Sequence, residues 1–167
     1  MIDSKDLLLV SLSKFYSNEK FIETILPILK GESNVSLRLL DWYVTNYCKK
    51  NTINAKNDFN VYLSYRSQLK AYSKHNFDPF RRRERIMFYY QQEKCIETTI
   101  GQLNFFRWAL KNDILDYVQN NIDNIEKDMF DTQKNMSEKD SKKRIELSCS
   151  KMKNMNMFEG SRTIQFN

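Results

Sequence analysis

The most distinctive binding chemistry in this chain lies between residues 59 and 95, where eight Lys or Arg stand against three Asp or Glu. Guanidinium groups donate paired hydrogen bonds to phosphate oxygens, and flat aromatic rings stack on unpaired bases. Basic residues interleaved with aromatics therefore predict contact with nucleic acid, DNA before RNA. The candidate residues are the cations Arg66, Lys70, Lys74, Arg81, Arg82, Arg83 and Arg85, and the aromatics Tyr72, Phe77 and Phe80.

Spacing strengthens this prediction. Arg66, Lys70 and Lys74 recur every four residues, which places them on one face if the segment is helical. Cations on one face neutralise several phosphates together and release counterions, so binding of this kind depends strongly on salt. An alternative stays open, because aromatics at helical spacing often form a core and the arginines from 81 to 85 also suit a solvated face or acidic groups on a protein.

Catalytic chemistry is poorly represented. His75 is the sole histidine, and no nucleophile or carboxylate stands near it in a recognisable spacing. The cysteines Cys48, Cys95 and Cys149 lie far apart, which suggests neither a disulfide framework nor a zinc site. The three glycines are isolated and form no phosphate-binding loop. We expect no enzymatic activity, no cofactor and no metal.

The composition predicts a compact, mainly α protein. The chain has 167 residues, 41% of them hydrophobic and 13% aromatic, which is enough for one core. With only three glycines and two prolines, a turn-dense β architecture is disfavoured. The first residues lack the regions of a signal peptide, and no apolar run approaches the length of a membrane span. We expect an intracellular protein without a membrane partner.

Helical periodicity governs the first third of the chain. Two helices are expected before Gly31, which fits a C-terminal cap, and a longer helix is expected over residues 35–50. A polar linker follows over residues 51–58.

The basic segment is less clear. Residues 59–65 alternate as a short strand would, but they also fit the start of a helix that continues to Lys74, and we favour the helix. Pro79 must interrupt the segment, since it pushes the preceding residue out of the α region. Residues 85–90 fit either a strand or a helix.

A helix pair is predicted over residues 99–129, with a break near Asp113. The outline is that of a helical hairpin or a helix-turn-helix. The second helix is acidic, with the wrong sign for phosphate, which favours a core or protein-facing role over DNA reading. Its acidic residues are Asp113, Asp116, Asp123, Glu126 and Asp128.

The composition shifts after Phe130. We expect one helical domain over residues 3–130 and a charged, Met- and Asn-rich extension over residues 131–167. Within the extension, residues 151–167 form a tail that would become ordered against a partner.

Four segments carry a resemblance to a known group of proteins. They are LLDWYVTNY at 39–47, FNVYLSY with QLKAYSK at 59–74, FDPF with RRERI at 77–86, and TTIGQLNFFRW at 98–108. These segments resemble uncharacterised small basic proteins of nucleocytoplasmic large DNA viruses, over about residues 35–120. The resemblance implies a DNA-associated factor or a virion component, located in the virus factory of the host cytoplasm, the nucleus or the virion.

Two functions follow from these observations. The leading hypothesis is a non-enzymatic nucleic-acid-binding protein, genome-organising or transcription-related, that holds phosphates with the seven cations. The alternative is a protein-interaction module or minor structural protein of a capsid or core. It would bind viral structural proteins or a second copy of itself.

Overall fold

A computed structural model describes the backbone of residues 4–51, 54–55, 59–91 and 93–153, and the side chains of residues 4–51, 60–91 and 93–138. The predicted mainly α class is confirmed. The elements are α1 Ser4–Tyr16, α2 Glu19–Lys30, α3 Leu37–Trp42, a π-helical segment Tyr43–Tyr47, α4 Cys48–Asn51, β1 Asn54–Ala55, β2 Phe59–Asn60, α5 Val61–Asn76, β3 Ile86–Tyr89, β4 Cys95–Thr98, α6 Ile100–Lys111, α7 Ile114–Asn120 and α8 Ile122–Lys153.

Local capping signals set several helix ends. The Asn18 side chain accepts a hydrogen bond from the Lys20 backbone at the start of α2, and the Ser36 side chain accepts one from Leu39 at the start of α3. Gly31 closes α2 with a φ of 75°, a left-handed conformation that glycine adopts without a steric penalty. The two predicted N-terminal helices are therefore present.

The favoured helix through the basic segment is confirmed. The strand-like start is limited to β2, which pairs with β1, and α5 begins at Val61. Ser73 interrupts α5 with φ 61° and ψ 165°. This conformation is nearly exclusive to glycine, so the residues after Ser73 are not in helical register with those before it.

Residues 85–90 contain a strand rather than a helix. β3 pairs with β4 in an antiparallel hairpin that aligns Ile86 with Thr98 and Tyr89 with Cys95. β4 was not predicted, because four residues with one large aliphatic side chain give little periodicity of their own.

The predicted helix pair over residues 99–129 is present, but its second helix is not continuous. α6 begins after Thr99, whose hydroxyl accepts a hydrogen bond from the Gln102 backbone. The second helix is divided at Asn121 into α7 and the start of α8. Buried residues on both sides of this break, Val118 and Ile125, explain why one periodic pattern ran through it.

α6 lies at the centre of the core, in contact with α1, α5 and α7. Its residues Leu103, Phe105 and Phe106 are fully buried. The Tyr16 hydroxyl donates a 2.8 Å hydrogen bond to the Leu103 carbonyl, and so fixes α1 on α6. The Trp108 indole N–H donates to the Ser64 hydroxyl at 3.0 Å and fixes α5 on its other side.

The chain forms two compact units, Met1–Met129 and Phe130–Asn167. In the second unit, α8 continues to Lys153, with Phe130 and Met136 exposed. Residues 154–167, and with them most of the predicted partner-ordered tail, lie outside the described residues. Among the helices that the structure describes, none is both long and apolar enough for a membrane crossing.

Two cysteines differ sharply in their surroundings, and their reactivity should differ accordingly. Burial raises the pKa of the Cys48 thiol to about 12, although a hydrogen bond with Tyr43 opposes part of this effect. Since the thiolate is the reactive species, iodoacetamide at pH 8 should label the exposed Cys95 in the native protein and Cys48 only after denaturation. Peptide mass spectrometry measures both, and rapid native labelling of Cys48 would contradict its burial.

Candidate nucleic-acid interface

The arginine loop, residues 77–85, joins α5 to β3 and is held against the first turn of α6. The Gln102 side-chain amide donates to the Pro79 carbonyl at 2.9 Å, and the Thr99 hydroxyl donates to the Arg81 carbonyl at 3.2 Å. These bonds fix the loop backbone, although most of its side chains face solvent. A fixed backbone loses little conformational freedom when the loop binds a ligand.

The entrance to the arginine loop is tied down as well. The buried Asn104 side chain donates to the Asn76 carbonyl at 2.8 Å, where α5 ends. Gly101 allows close approach, because a Cβ there would lie 3.1 Å from the His75 carbonyl oxygen and 3.3 Å from the Arg81 Cβ. The loop is therefore packed against α6 on both sides of its proline.

Arg81 is mostly buried and engaged inside the molecule. Its Nη2 donates to His75 Nδ1 at 2.9 Å and lies 3.9 Å from Glu84 Oε1. A guanidinium can only donate, so His75 Nδ1 is the acceptor of this hydrogen bond. Arg81 Nε is buried without a hydrogen-bond partner. The prediction that Arg81 holds phosphate is not supported by this geometry.

Glu84 connects the arginine loop to α1. Its Oε2 lies 3.0 Å from Lys5 Nζ, and this hydrogen bond and charge lower the pKa of the Glu84 carboxyl, with a smaller contribution from Arg81. The residue has a φ of 59°, which turns the chain towards β3. Glu84 thus forms an ion pair with Lys5 rather than with Arg82 or Arg83.

Arg85 is engaged by a carboxylate across the hairpin. Its Nη1 donates to Glu97 Oε2 at 2.7 Å, and its Nε donates to the Arg82 carbonyl at 3.3 Å. Arg85 is therefore a structural partner of β4 more than a free cation.

Arg82 and Arg83 are different. Both are exposed, and within the part of the chain that the structure describes, neither side chain has an ion pair or hydrogen bond. Arg82 and Arg83 are the two guanidinium groups of the loop that remain available to an external anion.

The helix α5 carries a second group of cations. Arg66 lies 5.9 Å from the centre of the Tyr62 ring, and Lys49 from α4 lies 6.0 Å from the same ring. Lys70 is exposed one turn beyond Arg66. The prediction that Lys74 shares this face is wrong, because the break at Ser73 comes between them.

The predicted stacking residues are mostly unavailable. Phe77 is 0% exposed and packs in the core, so its assignment as a base-stacking residue is wrong. Tyr72 is half-buried, with its ring parallel to that of Phe77 at 6.3 Å. Phe80, at 36% exposure, remains accessible at the arginine loop.

Sequence reasoning missed the exposed residues of the hairpin. Tyr89 is 67% exposed and Met87 is 54% exposed, whereas Phe88 between them is buried. Residues 86–89 are all apolar, so the sequence shows no alternation there, and the exposed face is identified only by the burial of β3 and its pairing with β4.

Two acidic residues of α8 lie apart from these cations in sequence and line a polar depression. Asp123 and Glu126 stand there beside Asn34 and Gln119. Within the described residues, no group of three or more His, Cys, Asp or Glu could hold a metal ion. Negative charge makes this depression unsuitable for phosphate.

Comparison with known proteins places the chain in a family. The model of the family of unknown function DUF7197 matches residues 1–164. The chain belongs to this family. A relative, the uncharacterized protein L507 of Acanthamoeba polyphaga mimivirus, is 43% identical over 139 residues, which cover 75% of this chain and 54% of the relative.

The chain therefore spans about half the length of that relative. The predicted resemblance to an uncharacterised protein of a large DNA virus is confirmed at this level. No solved structure matches the chain.

Proposed function

We propose that this DUF7197 protein is a non-enzymatic nucleic-acid-binding protein of a large DNA virus. The observation that carries the proposal is the pair Arg82 and Arg83, exposed on an anchored loop without a carboxylate partner among the described residues. Each guanidinium presents a planar fork of donors that matches two phosphate oxygens.

Charge distribution supports this function. Residues 59–95 carry eight basic and three acidic side chains, and two of those acids, Glu84 and Asp78, lie within the arginine loop. Glu84 is engaged by Lys5, and the Asp78 carboxylate accepts a hydrogen bond from the Phe80 backbone. The carboxylates of the loop therefore leave Arg82 and Arg83 unpaired.

The proposal extends to DNA as the first ligand to test, because the mimivirus relative is encoded by a DNA virus. A genome-organising or transcription-related role, in the virus factory, the nucleus or the virion, follows the same reasoning. The proposal that the protein is not an enzyme is supported by His75, the sole histidine, whose Nδ1 is hydrogen-bonded to Arg81 rather than to a nucleophile.

A protein-interaction or minor virion structural role is the second candidate. It is favoured by α1, where Leu7 and Val10 are exposed three residues apart on one helix face. In this alternative, Arg82 and Arg83 meet acidic groups of a neighbouring protein.

Fluorescence anisotropy separates the two candidates. A labelled 30-base-pair DNA and a poly-glutamate of equal charge are titrated with the protein at the same ionic strength. If nucleic-acid binding is the function, DNA binds more tightly than poly-glutamate, because duplex DNA carries one charge per ~1.7 Å of helix axis and releases condensed counterions when arginines contact its phosphates. Equal affinity for both, or binding of poly-glutamate alone, would contradict nucleic-acid binding as the function.

A further inference from the structure

The β3–β4 hairpin has one face in the core and one face in solvent. Phe88 and Thr98 are buried, whereas Met87 and Tyr89 on β3 point the other way and are exposed. The register places Met87 opposite Glu97 and Tyr89 opposite Cys95. The outward hairpin face is thus formed by Met87, Tyr89, Cys95 and Glu97, all exposed.

The charge on this outward hairpin face is balanced. Glu97 is its one carboxylate, and Arg85 lies 2.7 Å from it. A polyanion that approaches this face therefore meets a neutral pair at Glu97, and the turn that closes the hairpin carries the opposite charges Glu93 and Lys94. The two unpaired arginines of the loop precede this face in the chain.

Strand geometry sets the distances along the surface. With about 3.3 Å per extended residue, Arg83 lies at most ~13 Å from Met87 and ~20 Å from Tyr89. Met87 and Tyr89, two residues apart on one face, are separated by ~7 Å. A ligand that holds Arg83 and also contacts Tyr89 has to combine an anionic group with a flat apolar group, at most ~20 Å apart.

We propose that the outward hairpin face binds unpaired bases, so that the preferred ligand of this protein is single-stranded nucleic acid. The phosphates bind Arg82 and Arg83, and the Tyr89 ring stacks on a base with Met87 beside it. A duplex hides the faces of its bases in the stack, so only an unpaired strand can use Tyr89. This inference rests on the proposed function and narrows its ligand.

The exposure of Tyr89 favours a role in ligand binding over a role in core packing. Aromatic rings that stabilise the first unit contact one another, as Tyr16 contacts Phe88 on the opposite side of the same strand. Tyr89 is one of the most exposed large side chains in the described part of the chain. An exposed ring within ~20 Å of unpaired arginines combines the two features by which single strands are held without sequence preference.

Three labelled probes of the same length test the inference: thirty thymidines, a thirty-residue abasic oligonucleotide and a thirty-base-pair duplex. The wild type should bind the thymidine strand more tightly than the other two. Tyr89→Ala should weaken binding of the thymidine strand by about 5- to 100-fold, with little change for the abasic strand. Tyr89→Phe, which keeps the ring, should retain wild-type affinity.

Phe130→Ala is the matched control, because it removes another exposed aromatic ring from the chain. It should leave all three affinities unchanged, and circular dichroism verifies the fold of each variant.

The inference is overturned if the wild type binds the abasic strand or the duplex as tightly as the thymidine strand. It is also overturned if Tyr89→Ala changes nothing, or weakens all three probes equally. Nucleic-acid binding itself would survive each of these results, provided that the arginine loop still governs affinity. Loss of binding to every probe by the wild type would instead remove the proposed function.

Discussion

Replacement of both Arg82 and Arg83 by alanine should lower the affinity for DNA by about 20- to 60-fold at ~0.1 M salt, because each phosphate contact adds about 0.7–0.9 to the salt exponent. The fold should be unaffected, since both side chains are exposed and neither has an ion pair or side-chain hydrogen bond in the described structure. Anisotropy titrations of wild type and variant give the ratio, and thermal unfolding verifies equal stability.

Two further variants separate guanidinium recognition from net charge. Lys14→Ala with Lys30→Ala removes the same charge from α1 and α2, where both lysines are exposed, and should lower affinity much less. Arg82→Lys with Arg83→Lys keeps the charge but loses the planar fork, and should give an intermediate affinity. If the Lys14 and Lys30 pair is as damaging as the arginine pair, binding depends on overall charge and the arginine loop has no special role.

Replacement of Phe77 by alanine should lower the free energy of unfolding by about 3–5 kcal/mol, a large share of a typical ~5–15 kcal/mol. Phe77 is fully buried, and its ring lies 5.6 to 6.3 Å from the ring centres of Tyr65, Tyr72, Phe105 and Trp108. Truncation leaves a cavity among these rings. Urea denaturation followed by circular dichroism measures the loss.

Phe77→Leu fills most of that volume and should cost less than the alanine variant. This pair also tests the corrected role of Phe77. Were Phe77 a base-stacking residue, the alanine variant would keep wild-type stability and lose only its affinity for nucleic acid, which is the outcome that contradicts the core assignment.

Much of the helical framework was predictable because its signals are local. The caps at Asn18, Ser36 and Thr99 and the glycine at 31 act within a few residues of themselves. The periodic apolar residues of α6 likewise identified the helix that forms the centre of the core.

The hairpin and the breaks in the helices were harder to predict from the sequence. β4 is a strand because β3 lies beside it, and its own four residues carry almost no pattern. The break at Ser73 depends on tertiary anchoring, since the buried Asn104 holds the carbonyl of Asn76. Propensity alone favours an uninterrupted α5, which is why Lys74 was assigned to the wrong face.

The candidate site was predicted in composition but not in detail. Five of the seven predicted cations are exposed and have no ion pair with a carboxylate in the described part of the chain: Arg66, Lys70, Lys74, Arg82 and Arg83. Arg81 and Arg85 are engaged by Glu84 and Glu97, and the Glu97 pairing exists only through the fold of the hairpin. Exposure of Tyr89 and burial of Phe77 are decided by packing, which spacing along the chain does not specify.

The salt dependence of binding is the most direct measure of whether Arg82 and Arg83 hold phosphates. Log Kobs for a labelled oligonucleotide, plotted against log salt concentration, should fall linearly for the wild type. The slope for the Arg82→Ala and Arg83→Ala double variant should be smaller in magnitude by about 1.4–1.8, because two phosphate contacts and their released counterions are lost. A flat wild-type line, or two parallel lines, would show that these guanidinium groups do not meet the nucleic-acid backbone.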